Sequence, residues 1–151
     1  MFRLIPGGDR CGPPPIASSA NVEHTAEGRR PRILLVEDDY FVALELEHQL
    51  SSAGFEVVGI AATAEEAMRI GKSENPDLAI MDIRLAGHGD GVDAAIELFT
   101  TAGIRSIFVT AHGDAQTRRR AAQAHPLGWV QKPYSPGSVI ELVNSVFDQR
   151  N

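Results

Sequence analysis

Cysteine is nearly absent from this chain. Cys11 is the only one, so no disulfide can close within the molecule and a thiolate metal cluster has no ligands to draw on. Long apolar runs are missing too: nothing approaches the ~20 consecutive residues that a membrane-spanning helix needs. Met1 to Pro6 are not followed by the apolar stretch of a secretory signal before Gly7, Gly8 and Asp9 interrupt it. Nor is there an excess of positive charge. The net charge is -6, which opposes non-specific association with nucleic acid. These absences lead us to expect a cytoplasmic protein with neither DNA nor a membrane as partner.

What is present is ordinary for a globular domain: 43% hydrophobic and 23% charged residues in a chain of 151, enough for one core but not for two domains of usual size. Residues 1–30, with Pro13, Pro14, Pro15, Ser18 and Ser19, show no helical or strand period and predict a flexible extension. From residue 31 onward, short apolar runs at 33–36, 57–61, 78–81, 107–109 and 129–130 read as buried strands. Between them lie stripes with helical spacing: Val42, Leu46, Leu50 and Ala53; Val92, Ala95, Ile96 and Phe99; Val139, Leu142, Val143 and Val146. Thr63 with Glu66 reads as a capping box, Ser135 before Pro136 as an N-cap, and Gly54 and Gly103 as helix ends. Alternation of this kind predicts right-handed crossovers and a doubly wound parallel sheet of the α/β class, with residues 31–151 as the domain. The last helical stripe ends close to Asn151, which predicts a stand-alone domain that works through partners.

In such a sheet, ligands bind where the strands end. The residues at those ends are Glu37 and Asp38, Asp82, Thr110 and Lys132. Carboxylates gathered at one spot repel one another, so the pattern asks for cations. Lys132 supplies one, and Mg²⁺, with Mn²⁺ as a substitute, suits hard oxygen ligands. Carboxylate, dication, amine and hydroxyl together make a site for phosphoryl transfer, with Asp82 as the natural nucleophile.

The segments Ile33-Leu-Leu-Val-Glu-Asp-Asp39, Asp77-Leu-Ala-Ile-Met-Asp-Ile83, Phe108-Val-Thr-Ala-His-Gly113 and Gly128-Trp-Val-Gln-Lys-Pro133 resemble response regulator receiver domains over residues 31–150. The resemblance implies a flavodoxin-like fold with strand order 2-1-3-4-5. It implies that Asp82 is phosphorylated by a sensor histidine kinase or a histidine phosphotransfer protein, and that Glu37, Asp38, Asp82 and the Arg84 carbonyl hold Mg²⁺. It further implies that Thr110 and Lys132 meet the phosphoryl group, that small Ala111 leaves access, and that the Lys132–Pro133 bond is cis. Phosphorylation would then alter binding to a downstream protein, with dimerisation left open.

At the position where the family carries a switching Tyr or Phe, this chain has Trp129. Its larger ring and its N–H make an inward swing costly, and a static aromatic is the competing interpretation. Arg84 and His112 fall where side chains overhang the pocket and tune phosphoryl lifetime; solvated side chains are the alternative. The loop from Ala86 to Gly91 lacks nucleotide-cradle spacing. His24, His48, His88 and His125 read as solvated. The run Arg118 to Arg120 reads as a hydrated face or a partner contact. A phosphate-carrying relay intermediate uses the same site as a terminal switch. An aspartyl-phosphate phosphatase fits less well: phosphatases of the haloacid dehalogenase type place the nucleophile after the first strand, and this chain lacks a cap domain.

Overall fold

Continuous apolar strands need cover on both faces. In the computed structural model, which describes residues 29–150 except Ala86, His88, Gly89, His112 and the side chains of Gln149 and Arg150, the helices supply it. The expectations for residues 1–28, including Cys11 and His24, and for His88 and His112 lie outside the described residues. Strands β1 (Arg32–Val36), β2 (Glu56–Ala61), β3 (Leu78–Asp82), β4 (Ser106–Thr110) and β5 (Gly128–Gln131) alternate with helices α1 (Tyr40–Ser52), α2 (Ala64–Glu74), α3 (Gly91–Ala102), α4 (Ala115–Ala121) and α5 (Pro136–Arg150). All pairings are parallel and the order is β2-β1-β3-β4-β5, the doubly wound topology the sequence predicts.

Because side chains alternate along a strand, the two faces build two cores. Ile33, Leu35, Ile80, Ile107 and Val109 meet Leu46 and Leu50 of α1 and Val139 and Val143 of α5. Leu34, Val36, Met81 and Phe108 meet Ala67 of α2 and Val92, Ala95 and Leu98 of α3. Each fully buried aliphatic side chain contributes about 1.5–3 kcal/mol, so the strands that carry the site rest on a rigid floor. On α1 the buried residues are Ala43, Leu46 and Leu50; Val42, the first residue of the helical stripe, is half-buried. Among the described residues, no helix is long and apolar enough to cross a membrane.

Local chemistry starts the helices near the strand ends. Asp39, Asp90 and Asp114 act as N-caps, accepting backbone N–H bonds from Val42, Asp93 and Thr117 at 3.2, 2.9 and 2.8 Å. Thr63 accepts from the Glu66 N–H at 3.1 Å, while the Glu66 carboxylate reaches back to the Ala62 N–H at 2.8 Å, one residue beyond a standard capping box. Ser135 accepts from the Ser138 N–H at 3.3 Å. Before β1, Arg29 pairs with Asp77 at 3.1 Å, so the fold engages a residue that a boundary at 30/31 assigns to the extension.

Candidate functional site

The chain order of the strands reverses between β1 and β3, and the crevice at that reversal is where doubly wound sheets place ligands. Glu37 and Asp38 follow β1, Asp82 closes β3, Thr110 closes β4 and Lys132 follows β5. Backbone bonds keep these ends in step: the Glu37 N–H donates to Ala61 at 2.9 Å, Ile83 to Val109 at 3.2 Å and Lys132 to Thr110 at 2.8 Å.

One carboxylate oxygen from each of Glu37, Asp38 and Asp82 lies within 4.8 Å of the others. Glu37 and Asp82 are buried, as is Thr110, whereas Asp38 is exposed. Lys132 Nζ stands 2.9 Å from Asp82 Oδ2 and 3.7 Å from Glu37 Oε1. The other Asp82 oxygen accepts the Arg84 backbone N–H at 3.1 Å, and Glu37 Oε2 accepts the Asp39 N–H at 3.0 Å. The Lys132–Pro133 bond is cis.

Among the described residues, three carboxylates here face one ammonium, and two like charges ~4 Å apart repel by roughly 4 kcal/mol at an effective dielectric of 20. The imbalance appears at Glu37. Burial, with a smaller push from Asp82, drives its carboxyl up to about 7 against the pull of the Asp39 N–H and Lys132. Burial disfavours the charge on Lys132, but its hydrogen bond to Asp82 and the charges of Asp82 and Glu37 outweigh this and hold the amine above its ordinary range. Burial and then the Glu37 charge likewise raise the Tyr134 phenol. Hard oxygen donors carrying more negative charge than Lys132 balances are the ligand set that a Mg²⁺-like dication prefers. A cleft of about 480 Å³ opens beside them, lined by Asp39, Val42, Leu46, Ala111, Lys132 and Tyr134 among others.

Several contributors escape a reading of the sequence. Asp39 extends the acidic run, but its carboxylate caps α1 instead of joining Glu37 and Asp38. Gly91 brings α3 against the end of β3. Its N–H donates to the Ile83 carbonyl at 2.8 Å, and a Cβ there would overlap the Asp82 carbonyl oxygen and stand 2.8 Å from Ile83 Cα. In sequence it is only the last glycine of a loop. Trp129 is half-buried and stacks on Phe108, with ring centroids 4.9 Å apart. The arginine run is not simply hydrated: Arg118 lies over the Trp129 ring, and Arg120 pairs with Asp90 at 2.5 Å. His125 is exposed, as expected, and its ring also lies against Phe99 with centroids 4.6 Å apart; its backbone is left-handed, φ 51°. The Arg84 side chain is exposed.

The family model of the response regulator receiver domain matches residues 33–144. A transcriptional regulatory protein of Mycobacterium tuberculosis, PdtaR, is 30% identical over 112 residues, 74% of this chain and 54% of that protein. The chemotaxis protein CheY of Thermotoga maritima is 32% identical over 116 residues, 76% of this chain and 96% of that one. The chain thus spans about half the length of the transcriptional regulator and nearly all of the chemotaxis protein. Among solved structures, a CheX-CheY-BeF3-Mg complex from Borrelia burgdorferi superimposes with a TM-score of 0.76 at 26% identity, covering 86% of this chain and 98% of that one.

Proposed function

The chain belongs to the response regulator receiver domain family, and from that premise we propose that Asp82 accepts a phosphoryl group from a phosphohistidine donor and that the surface around Thr110 and Trp129 changes in response. The observation that carries this reading is the 2.9 Å pair between Lys132 Nζ and Asp82, set in one crevice with Glu37 and Asp38. An Asp82 oxygen attacks phosphorus as the bond to the donor imidazole breaks. Lys132, already held against that carboxylate, balances the charge that moves onto a phosphoryl oxygen. The Arg84 N–H keeps Asp82 aimed, the Thr110 hydroxyl offers a hydrogen bond, and small Ala111 at the cleft leaves access.

Glu37, Asp38, Asp82 and the Arg84 carbonyl would hold Mg²⁺, which when bound neutralises phosphoryl oxygen charge. The magnesium named in the Borrelia neighbour supports this assignment. Tyr40 and Phe41 are exposed on the first turn of α1, directly after the acidic run, and offer apolar contact to a sensor histidine kinase or histidine phosphotransfer protein. The domain catalyses only its own phosphorylation and dephosphorylation, and passes the signal to a downstream protein.

Labelling with acetyl phosphate tests the proposal. The wild type with Mg²⁺ should take up one phosphoryl group per chain and lose it slowly, and Asp82→Asn should take up none. Repeated turnover of an exogenous phosphate ester would instead mark a phosphatase.

The raised Glu37 carboxyl gives a pH signature. A folded-state value near 7 against an ordinary 4.5 means that the folded chain binds the extra proton between those values. The associated stability is therefore complete below pH 4.5 and is lost as pH rises through 7. Mg²⁺ competes for the same oxygens, so its affinity, measured by calorimetry, should rise with pH through neutrality and then level. In Glu37→Gln the affinity should be weaker and this rise should disappear.

A further inference from the structure

Arg118 touches both the segment that follows Thr110 and the aromatic residue at the switch position. Its guanidinium carbon lies 4.4 Å from the centroid of the Trp129 ring, a separation at which a cation is attracted to the ring face. Its Nε donates to the Gly113 carbonyl at 3.3 Å. Gly113 lies three residues beyond Thr110, and a Cβ there would stand 3.2 Å from the guanidinium, so the missing side chain makes room for the arginine. Behind Trp129 is Phe108, its register partner across β4 and β5, fully buried and only two residues before Thr110. The neighbouring arginine has a different task. Arg120 pairs with Asp90 at 2.5 Å and Asp93 at 3.5 Å, fastening α4 to the start of α3 independently of Arg118.

We propose that Arg118 is a positioning residue that clasps Trp129 in its resting place and couples it to the segment between β4 and α4. Displacement of Gly113 when Thr110 engages a phosphoryl group is thereby passed to Trp129 and the surface it shares with α4. The inference rests on the switch reading above and adds the residue that transmits it. Neither a hydrated arginine nor an isolated stacking contact would join these two places.

Trp129 is the only tryptophan in the chain, so its fluorescence reports this one position. Acrylamide quenching would be measured on the full chain with Mg²⁺ alone and with Mg²⁺ plus beryllofluoride, loading being confirmed by fluorine NMR. In the wild type, loading should change the quenching constant. In Arg118→Ala the unloaded protein should already be quenched more strongly than the wild type, and most of the response to loading should be lost, with loading itself intact. Arg118→Lys, which keeps the charge but not the planar group, should behave like Arg118→Ala and carries the same expectation if the alanine variant does not fold. Arg119→Ala should match the wild type. A responsive wild type with an Arg118→Ala variant indistinguishable from it in both states overturns the role of Arg118 alone. A wild type that ignores confirmed loading overturns the switch reading, and the coupling with it.

Discussion

Replacing Lys132 with alanine should slow phosphoryl acceptance by about 10²-fold, the usual cost of removing one preorganised charge-stabilising donor, while Mg²⁺ binding survives. The amine sits 2.9 Å from Asp82 and 3.7 Å from Glu37, so it is in place before the donor arrives. As the new bond forms, charge leaves the carboxylate for the phosphoryl oxygens, and Lys132 can follow it without a large movement. Without the amine the acids lose the only ammonium paired with them among the described residues, and Glu37 should hold its proton more firmly. Lys132→Arg keeps the charge but presents a broad planar group where a compact ammonium fits, and should recover only part of the rate. Rates from acetyl phosphate, with calorimetric Mg²⁺ titration on the same preparations, separate a chemical defect from a collapsed site. If acceptance and binding fell together, Lys132 would be a structural strut.

Gly91→Ala should damage the site although Gly91 bears no functional group. The added methyl would overlap the Asp82 carbonyl oxygen and press on Ile83 Cα at 2.8 Å, backbone that cannot rotate away as a side chain tip would. Either α3 or the end of β3 must shift, at a cost of about 3 kcal/mol, and the shift falls on the residue that carries the nucleophile. Gly103→Ala is the control: its Cβ would meet nothing, and only its left-handed backbone, φ 71°, is penalised, by roughly 1–2 kcal/mol. Urea denaturation with Mg²⁺ titration should show Gly91→Ala losing both stability and affinity, and Gly103→Ala losing stability alone. Unchanged Mg²⁺ affinity in Gly91→Ala would mean that the packing of α3 does not position Asp82.

The parallel sheet is legible in the sequence because strands buried on both faces are continuous apolar runs, and the acids, the hydroxyl and the lysine stand where those runs stop. Strand ends converge through topology alone, so the positions of Glu37, Asp38, Asp82, Thr110 and Lys132 at those ends are enough to place them in one crevice. What the sequence hides depends on contacts that no local spacing encodes. Nothing in Glu37-Asp38-Asp39 says that the third acid turns back to cap α1. Nothing in a glycine-rich loop says that Gly91, in particular, lies against the Asp82 carbonyl. The Arg118–Trp129 contact joins a helix to the edge strand, and an arginine run looks alike whether it is hydrated or stacked. Arg29 meets Asp77 at the start of the sheet, far along the chain and outside any periodic signal.

The claim beneath all of this is that Asp82, and no other acid in the crevice, carries the phosphoryl group. Borohydride reduces an aspartyl phosphate to homoserine, which peptide mass spectrometry locates. After treatment with acetyl phosphate and Mg²⁺, homoserine should appear at position 82 while Asp38 and Asp39 remain aspartate. Homoserine at position 38, or a phosphoryl group found on a histidine with position 82 unaltered, would contradict the account.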